Sequence, residues 1–256
     1  RMMAKLSNLN DYHLEHLHSA VSAGEPLNRE VVEQFKNNFN LTVRDGYGQT
    51  ESTLLIGFLK DTEPRTGSMG KGIPGSFVTI IDDDGNEVPP QTKGNIAVPL
   101  DLPALFKGYY KDEERTKAAS AGDYYVTGDL AHKDEDGYFW FEGRRDDIII
   151  SSGYTIGPFE VEDALTNHPA VKECAVVASP HEIRGNIVKA FIILQNNYEG
   201  NDELVKELQT FCKNEVAPYK YPRAIEFVDD LPKTNSGKIR RVELRDAEIA
   251  KYNNQD

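Results

Sequence analysis

The spacing of apolar residues changes character twice along this chain, near residue 67 and again after Asp147, and this divides it into three textures. Up to about residue 66 the pattern is strand, helix, strand. Residues 17–24 read as a short strand and loop leading to Gly24-Glu25-Pro26. Asn28 caps a helix with Val31, Val32, Phe35 and Phe39 on one face. Thr42 to Arg44 forms a brief strand running into a loop, Asp45-Gly-Tyr-Gly-Gln-Thr-Glu51. That is a piece of an α/β unit, with the loop at the strand's carboxyl end, where open sheets bind ligands.

From residue 67 the pattern becomes short strands and turns. Gly67 to Gly75 reads as a turn-rich loop. Val78 to Gly85 reads as a hairpin with an Asp-Gly turn, and 95–98, 124–127 and 138–142 add strands, with a further turn at Asp136-Gly137. After Asp147 helices return. Ile148 to Ile150 is β-like, and Pro158 opens a helix carrying Val161 and Leu165. Cys174–Ala178, Val188–Leu194 and Ala224–Val228 read as strands. An amphipathic helix runs from Asp202 to about Lys213, and a terminal helix starts at Val242. The expected class is mixed: α/β, then β-rich, then a small α+β domain.

With 256 residues there is room for two domains and a sizeable core. Net charge is −13, from 29 basic and 42 acidic residues, which argues against non-specific nucleic-acid binding and against an anionic membrane surface. It does not argue against a nucleotide, because a few placed cations decide such contacts. Cys174 and Cys212 make neither a disulfide framework nor a metal pattern, and burial is expected for both. No apolar run reaches membrane-spanning length.

Four stretches carry chemistry. Leu231-Pro-Lys-Thr-Asn-Ser-Gly-Lys-Ile-Arg240 places Lys238, just after Gly237, at the end of a mobile tip, suited to phosphate or carboxylate oxygens. In Asp45–Glu51, Gly46 and Gly48 let backbone approach a flat ligand, Thr50 can hydrogen-bond a phosphate, and Glu51 can hold Mg²⁺. Asp129, after Thr127-Gly128 at a strand end, can accept from both ribose hydroxyls, with Arg144 as a second contact. Ser151 to Pro158 can wrap a ligand with backbone groups. Each has a plain alternative: a solvated surface loop, a polar helix cap, a turn aspartate, a domain connector. His13, His16 and His18, on alternating positions near a strand, follow no metal-ligand pattern.

In this order the stretches Asp45–Glu51, Tyr125-Val-Thr-Gly-Asp129, Gly143-Arg-Arg-Asp-Asp147 and Leu231–Arg240 resemble the adenylate-forming superfamily of acyl-CoA synthetases, luciferases and peptide-synthetase adenylation domains. Ser22–Leu27, Ser151–Tyr154, His168-Pro-Ala-Val171 and Ala217–Arg223 are similar to its medium-chain acyl-CoA synthetase branch. The resemblance implies the C-terminal part of that fold: 1–142 from the AMP-binding domain, a hinge at 143–147 and a mobile lid at 148–256. It implies ATP/AMP, Mg²⁺ and CoA as cofactors, a short- to medium-chain, linear or branched fatty acid as substrate, no nucleic-acid or membrane partner, and a cytoplasmic location. Gly24, Glu25, Pro26, Asp45, Gly46 and Tyr47 would line adenine, with Gly48 and Gln49 in the same nucleotide loop. Thr50 would touch the α-phosphate, Glu51 would bind Mg²⁺, and Asp129 and Arg144 would hold the ribose. Asp146 would be the hinge and Lys238 the adenylation lysine. Ser152, Gly153, Tyr154, Arg184, Lys213, Tyr221, Pro222 and Arg223 would face CoA.

One position departs from the branch. Thr155 stands where an arginine contacts phosphate, so either Arg145 compensates or ATP binds more weakly. The family's glycine- and Ser/Thr-rich phosphate loop is not found, and the chain opens Arg1-Met-Met-Ala, so a preceding segment is expected and these residues alone should be catalytically silent. The implied reaction joins a carboxylate, ATP and CoA through an acyl-adenylate. The alternatives are a peptide-synthetase-type adenylation domain and a non-catalytic nucleotide- or CoA-binding module of the same fold.

Overall fold

The computed structural model describes residues 3, 6, 8–235 and 237–254. The opening Arg1-Met2 and Ser236 of the lysine loop lie outside the described residues. The chain divides into two compact units, Arg1–Glu142 and Gly143–Asp256.

In the first unit, β1 (Ala20–Ala23), α1 (Arg29–Phe39) and β2 (Val43–Gln49) form a parallel strand-helix-strand unit, Ala20 opposite Val43. Val31 and Phe35, one helical turn apart, are buried with Leu41 and Val43. The helix ends at Asn40, which takes the left-handed conformation (φ 51°) and returns its N–H to the Lys36 carbonyl. Asn28 holds the N-cap position as read, but it caps through its carbonyl, which accepts from the Val31 and Val32 N–H groups, and not through its side chain.

The remaining strands are β3 (Thr53–Gly57), β4 (Ser68–Gly72), β5 (Thr79–Ile81), β6 (Gly94–Pro99), β7 (Ser120–Ala121), β8 (Tyr124–Lys133) and β9 (Tyr138–Arg144), with a short helix α2 (Glu113–Ala118). They form one sheet in the order β1-β2-β3-β4-β9-β8-β6-β5, with β7 on β8. Its apolar face packs Leu55, Met69, Ile80, Ile96, Val98 and Phe139 into a common core. The hairpin read at 78–85 is present, closed by the Ile81–Glu87 bridge around Gly85. The reading of Gly67–Gly75 as loop is corrected: its middle is β4, and only its flanks turn, at Gly67 and Gly75. His13, His16 and His18 lie just ahead of β1, which begins at Ala20.

Four strand-to-strand steps separate β2 from β8 in this order. A flat sheet would hold them about 19 Å apart at the usual spacing. Yet Tyr47 on β2 and Asp129 on β8 are in hydrogen-bond contact, so the sheet curls strongly on itself. Register shifts at Tyr47/Gly48 and Ser68/Gly70 lie along this path, and a third, Asn95/Ala97, lies just beyond it between β8 and β6. Gly70 is required at one of them: a Cβ there would sit 2.3 Å from the Gly57 carbonyl oxygen.

In the second unit β10 (Ile149–Ser151) and β11 (Tyr154–Ile156) make a hairpin, and β12 (Val171–His181), β13 (Gly185–Leu194) and β14 (Ala224–Phe227) make a three-stranded sheet. Helices α3 (Pro158–Thr166) and α4 (Asp202–Glu215) cover one face through Val161, Leu165, Leu204, Leu208 and Cys212. The other face packs Ala175, Val177 and Phe191 against Leu231 and Leu244 of α5 (Arg241–Asn253). Alternation along β12 therefore serves both faces. Both cysteines are buried and unpaired by disulfide. Two ion-pair groups pin α5. Arg241 makes a bidentate contact to the buried Glu162 of α3, 2.9 and 2.6 Å. The buried Glu248 accepts from Lys189 at 2.8 Å and from Ser179 at 2.8 Å. Among the described residues no helix is long and apolar enough to cross a membrane.

Candidate active site

The Asp45–Glu51 segment is strand and turn, not a loop. β2 runs through Asp45, Gly46, Tyr47, Gly48 and Gln49, and the chain reverses at once into β3. Thr50 and Glu51 are the two central residues of the turn closed by the Ser52 N–H on the Gln49 carbonyl. The reversal demands glycine at 48, where a Cβ would lie 1.9 Å from the Thr53 carbonyl oxygen. A strand ending in a tight turn holds Glu51 at a tip, with Thr50 exposed beside it.

Asp45 ties this strand to the preceding loop. Its two oxygens accept from the Leu27 N–H at 3.3 Å and the Gly46 N–H at 2.9 Å. The Gly24-Glu25-Pro26 turn thereby stands next to Asp45–Tyr47.

Asp129 is not at a strand end. It sits inside the ten-residue β8, at a bulge where Thr127–Asp129 breaks the register with β6 and Gly128 takes φ 78°. The bulge turns a 6 % exposed carboxylate toward β2. Its Oδ2 accepts the Tyr47 hydroxyl at 2.6 Å and the Gln49 amide at 2.8 Å. Gln49 also donates to the Thr127 carbonyl at 2.9 Å and accepts from the Tyr125 hydroxyl at 3.1 Å. Burial, followed by the Asp129 charge, pushes the Tyr47 phenol far up. Burial, followed by the charges of Tyr109 and Glu51, does the same to Tyr125. Both phenols therefore stay protonated and act as donors. At the tip, Glu51 Oε1 accepts from Tyr109 at 3.0 Å.

Two sequence segments, Asp45–Glu51 and Tyr125–Asp129, thus form one polar network. Sequence reasoning missed Tyr109 and gave Tyr125 no role. Nothing in their spacing couples them to Glu51 or Gln49. The only local signal was a glycine before two successive tyrosines. A shallow hollow nearby is lined by Leu27, Val32, Asp45, Phe58 and Arg65, and it adjoins Asp45 without containing the network.

In the second unit, Arg144, Arg145 and Asp146 are exposed, and Arg145–Asp147 is a single 3-10 turn. Arg245 of α5 donates to the Asp146 carbonyl at 2.8 Å and to Asp147 Oδ1 at 3.0 Å. Ser151–Pro158 is not a domain connector. It is the β10–β11 hairpin, with Ser152 (φ 50°) and Gly153 (φ 83°) as its two-residue tip, followed by Pro158 at the start of α3. Arg184 donates to Ser152 Oγ at 3.0 Å. Tyr154 stacks on Tyr219 with ring centroids 4.3 Å apart. Lys213 lies 4.0 Å over the Tyr221 ring, and Arg223 donates to the Tyr221 hydroxyl at 2.9 Å. Gln209 of α4 holds the Pro222 and Arg223 carbonyls. Thr155 is exposed on β11. Lys238 is exposed. Thr234 and Lys238 exchange hydrogen bonds, and Lys233 bridges to Ile239. Among the described residues no cluster of three or more His, Cys, Asp or Glu could hold a metal ion.

Comparison with known proteins gives the family and the fold. Residues 1–110 match the family described as AMP-binding enzyme, and residues 160–238 match the AMP-binding enzyme C-terminal domain. The uncharacterized acyl-CoA ligase YtcI of Bacillus subtilis strain 168 is 66 % identical over 97 % of this chain and 47 % of its own. The mitochondrial acyl-coenzyme A synthetase ACSM3 of Homo sapiens is 46 % identical over 97 % of this chain and 43 % of its own. Among solved structures, an anthranilate CoA ligase in complex with anthranoyl-AMP superposes with a TM-score of 0.88 at 35 % identity, over 96 % of this chain and 47 % of that one. The chain spans about half the length of the curated relatives it matches.

Proposed function

This chain belongs to the AMP-binding enzymes, and from that premise we propose that the protein is an AMP-forming acyl-CoA synthetase acting on a short- to medium-chain, linear or branched carboxylic acid. The observation that carries the proposal is the meeting of Tyr47, Gln49 and Asp129 beside a turn that holds out Thr50 and Glu51. It presents a ribose acceptor, a flat glycine-bearing strand and a lone tip carboxylate in one place.

In the first half-reaction the substrate carboxylate attacks the α-phosphate of ATP, giving acyl-adenylate and pyrophosphate. Asp129 Oδ2 accepts from Tyr47 and Gln49, which fixes the carboxylate that would accept from a ribose hydroxyl. Thr50 donates to the α-phosphate, and Lys238 supplies positive charge where it develops in the transition state. Glu51 fits a magnesium ion. No described side chain other than Tyr109 hydrogen-bonds to it, and a single carboxylate is what such an ion takes when the rest of its shell is phosphate and water. Bound there, magnesium would neutralise phosphate charge.

In the second half-reaction the CoA thiol attacks the acyl carbon and AMP leaves. Rotation about Asp146 exchanges Lys238 for the Ser152–Tyr154 tip. Arg184, Lys213 and Arg223 are the cations offered to CoA, the last two set against Tyr221. A non-catalytic nucleotide-binding role is the second reading, favoured by one residue, the uncharged Thr155. AMP release from ATP and CoA, measured over a panel of linear and branched carboxylates with the full-length protein, tests the proposal. No AMP release with any acid, together with no ATP–pyrophosphate exchange, would select the second reading.

A further inference from the structure

We propose that Tyr109 is a positioning residue for Glu51: its phenol holds the tip carboxylate in the rotamer that presents one oxygen to a divalent cation on the ATP phosphates. The inference rests on the reading of Glu51 as the magnesium carboxylate.

Two successive tyrosines follow Gly108, and the fold treats them oppositely. Tyr110 is 87 % exposed, whereas Tyr109 is turned inward and donates to Glu51 Oε1 at 3.0 Å. An ionised carboxylate only accepts, so the proton lies on the phenol. The Tyr109 ring is itself held on several sides. Phe106 meets it edge-on at 4.9 Å, and the Arg115 guanidinium covers it at 3.9 Å. Its backbone N–H donates to Thr116 Oγ1 at 2.9 Å. Arg115 and Thr116 belong to α2, whose start is capped by Asp112 accepting from the Arg115 N–H at 3.0 Å. The same segment grips Glu51 a second time, because the Phe106 N–H donates to its carbonyl at 2.7 Å.

Glu51 sits at a turn tip, where among the described residues no other hydrogen bond restrains its three side-chain torsions. An outer hydrogen bond of this kind fixes a ligand's orientation before the cation arrives, and losing such a partner costs about 10- to 100-fold in metal affinity. Tyr109 is placed to fix the carboxylate with Oε1 engaged and Oε2 presented.

The test uses the full-length protein with Tyr109→Phe, which keeps the ring between Phe106 and Arg115 and deletes only the donor. Tyr124→Phe, which removes a surface hydroxyl bonded to Glu87, is the matched control, and Glu51→Gln is the reference. Mn²⁺ binding in the presence of ATP is followed by water-proton relaxation, independently of turnover. We expect about tenfold weaker Mn²⁺ binding in Tyr109→Phe, no change in Tyr124→Phe, and a Mg²⁺ midpoint for ATP–pyrophosphate exchange shifted by the same factor. Thioester formation from supplied acyl-adenylate should keep its rate. If Glu51→Gln weakens Mn²⁺ binding while Tyr109→Phe leaves it unchanged, the positioning role is wrong. If Glu51→Gln also leaves it unchanged, the assignment of Glu51 falls, and this inference with it.

Discussion

The Tyr47 hydroxyl donates to Asp129 Oδ2 across 2.6 Å, although 82 residues separate the two in the chain. Gln49 donates to the same oxygen. Asp129→Ala would take a shared acceptor from two half-buried donors, Gln49 keeping only its bond to the Thr127 carbonyl, at a cost of about 1–3 kcal/mol in the stability of the first unit. Asp129→Asn keeps one oxygen that can accept from both donors and should cost less. Both variants should weaken ATP binding. Urea unfolding midpoints and ATP titrations check this, and an unchanged midpoint in Asp129→Ala would show that the network is dispensable to the fold.

Lys238→Ala should abolish formation of acyl-adenylate and spare thioester formation from supplied acyl-adenylate. Lys238 is exposed on a turn held by Thr234, so its loss removes a charge and no packing. Assays of the two half-reactions separate the outcomes, and equal loss in both would refute an adenylation role.

Thr155→Arg should tighten ATP binding. The position is exposed on β11 opposite Ile150, where a strand accepts a long side chain without clash, and an added cation restores the phosphate contact that the family resemblance leads one to expect. Calorimetric ATP titration measures the effect. Unaltered affinity would mean that another group already balances the phosphates.

Asp146→Pro should separate the half-reactions. Proline fixes φ near −65°, and Asp146 lies in the 3-10 turn whose carbonyl Arg245 holds. One half-reaction should survive far better than the other. A parallel fall in both would argue against rotation at this residue.

Acid should loosen α5. Burial alone would raise the Glu248 carboxyl, but hydrogen bonds from Lys189, Ser179 and Lys251 outweigh it and hold it below its ordinary value of 4.5. Lys189 does the same to Glu226. A depressed carboxylate contributes stability that is fully present above about pH 4.5 and is lost as pH falls through the lower, folded-state value. The unfolding midpoint of the native protein should therefore drop below that pH, and Glu248→Gln should show a flatter acid limb. Superimposable limbs would assign the acid sensitivity elsewhere.

The sequence by itself determined the elements whose signal is local. The Asp202 helix with its Leu204–Leu208–Cys212 stripe, the helix opened by Pro158, and the strands around Val176 and Ala190 are legible because periodicity and cap residues act over a single turn or pleat. The motif order was legible too, and with it the family. What only the tertiary structure decided is how the candidate site is made. The Asp45–Gln49 strand looks like a loop because its glycines lower β-propensity, and it is a strand because neighbours on both sides complete its hydrogen bonds. Asp129 points at Tyr47 because two register shifts lie on the curled path between their strands and a third puts Asp129 itself on a bulge. Tyr109 reaches Glu51 because a capped six-residue helix turns one of two adjacent tyrosines inward. Bulges, sheet curl and the choice between two neighbouring side chains are set by contacts tens of residues away, and no local pattern encodes them.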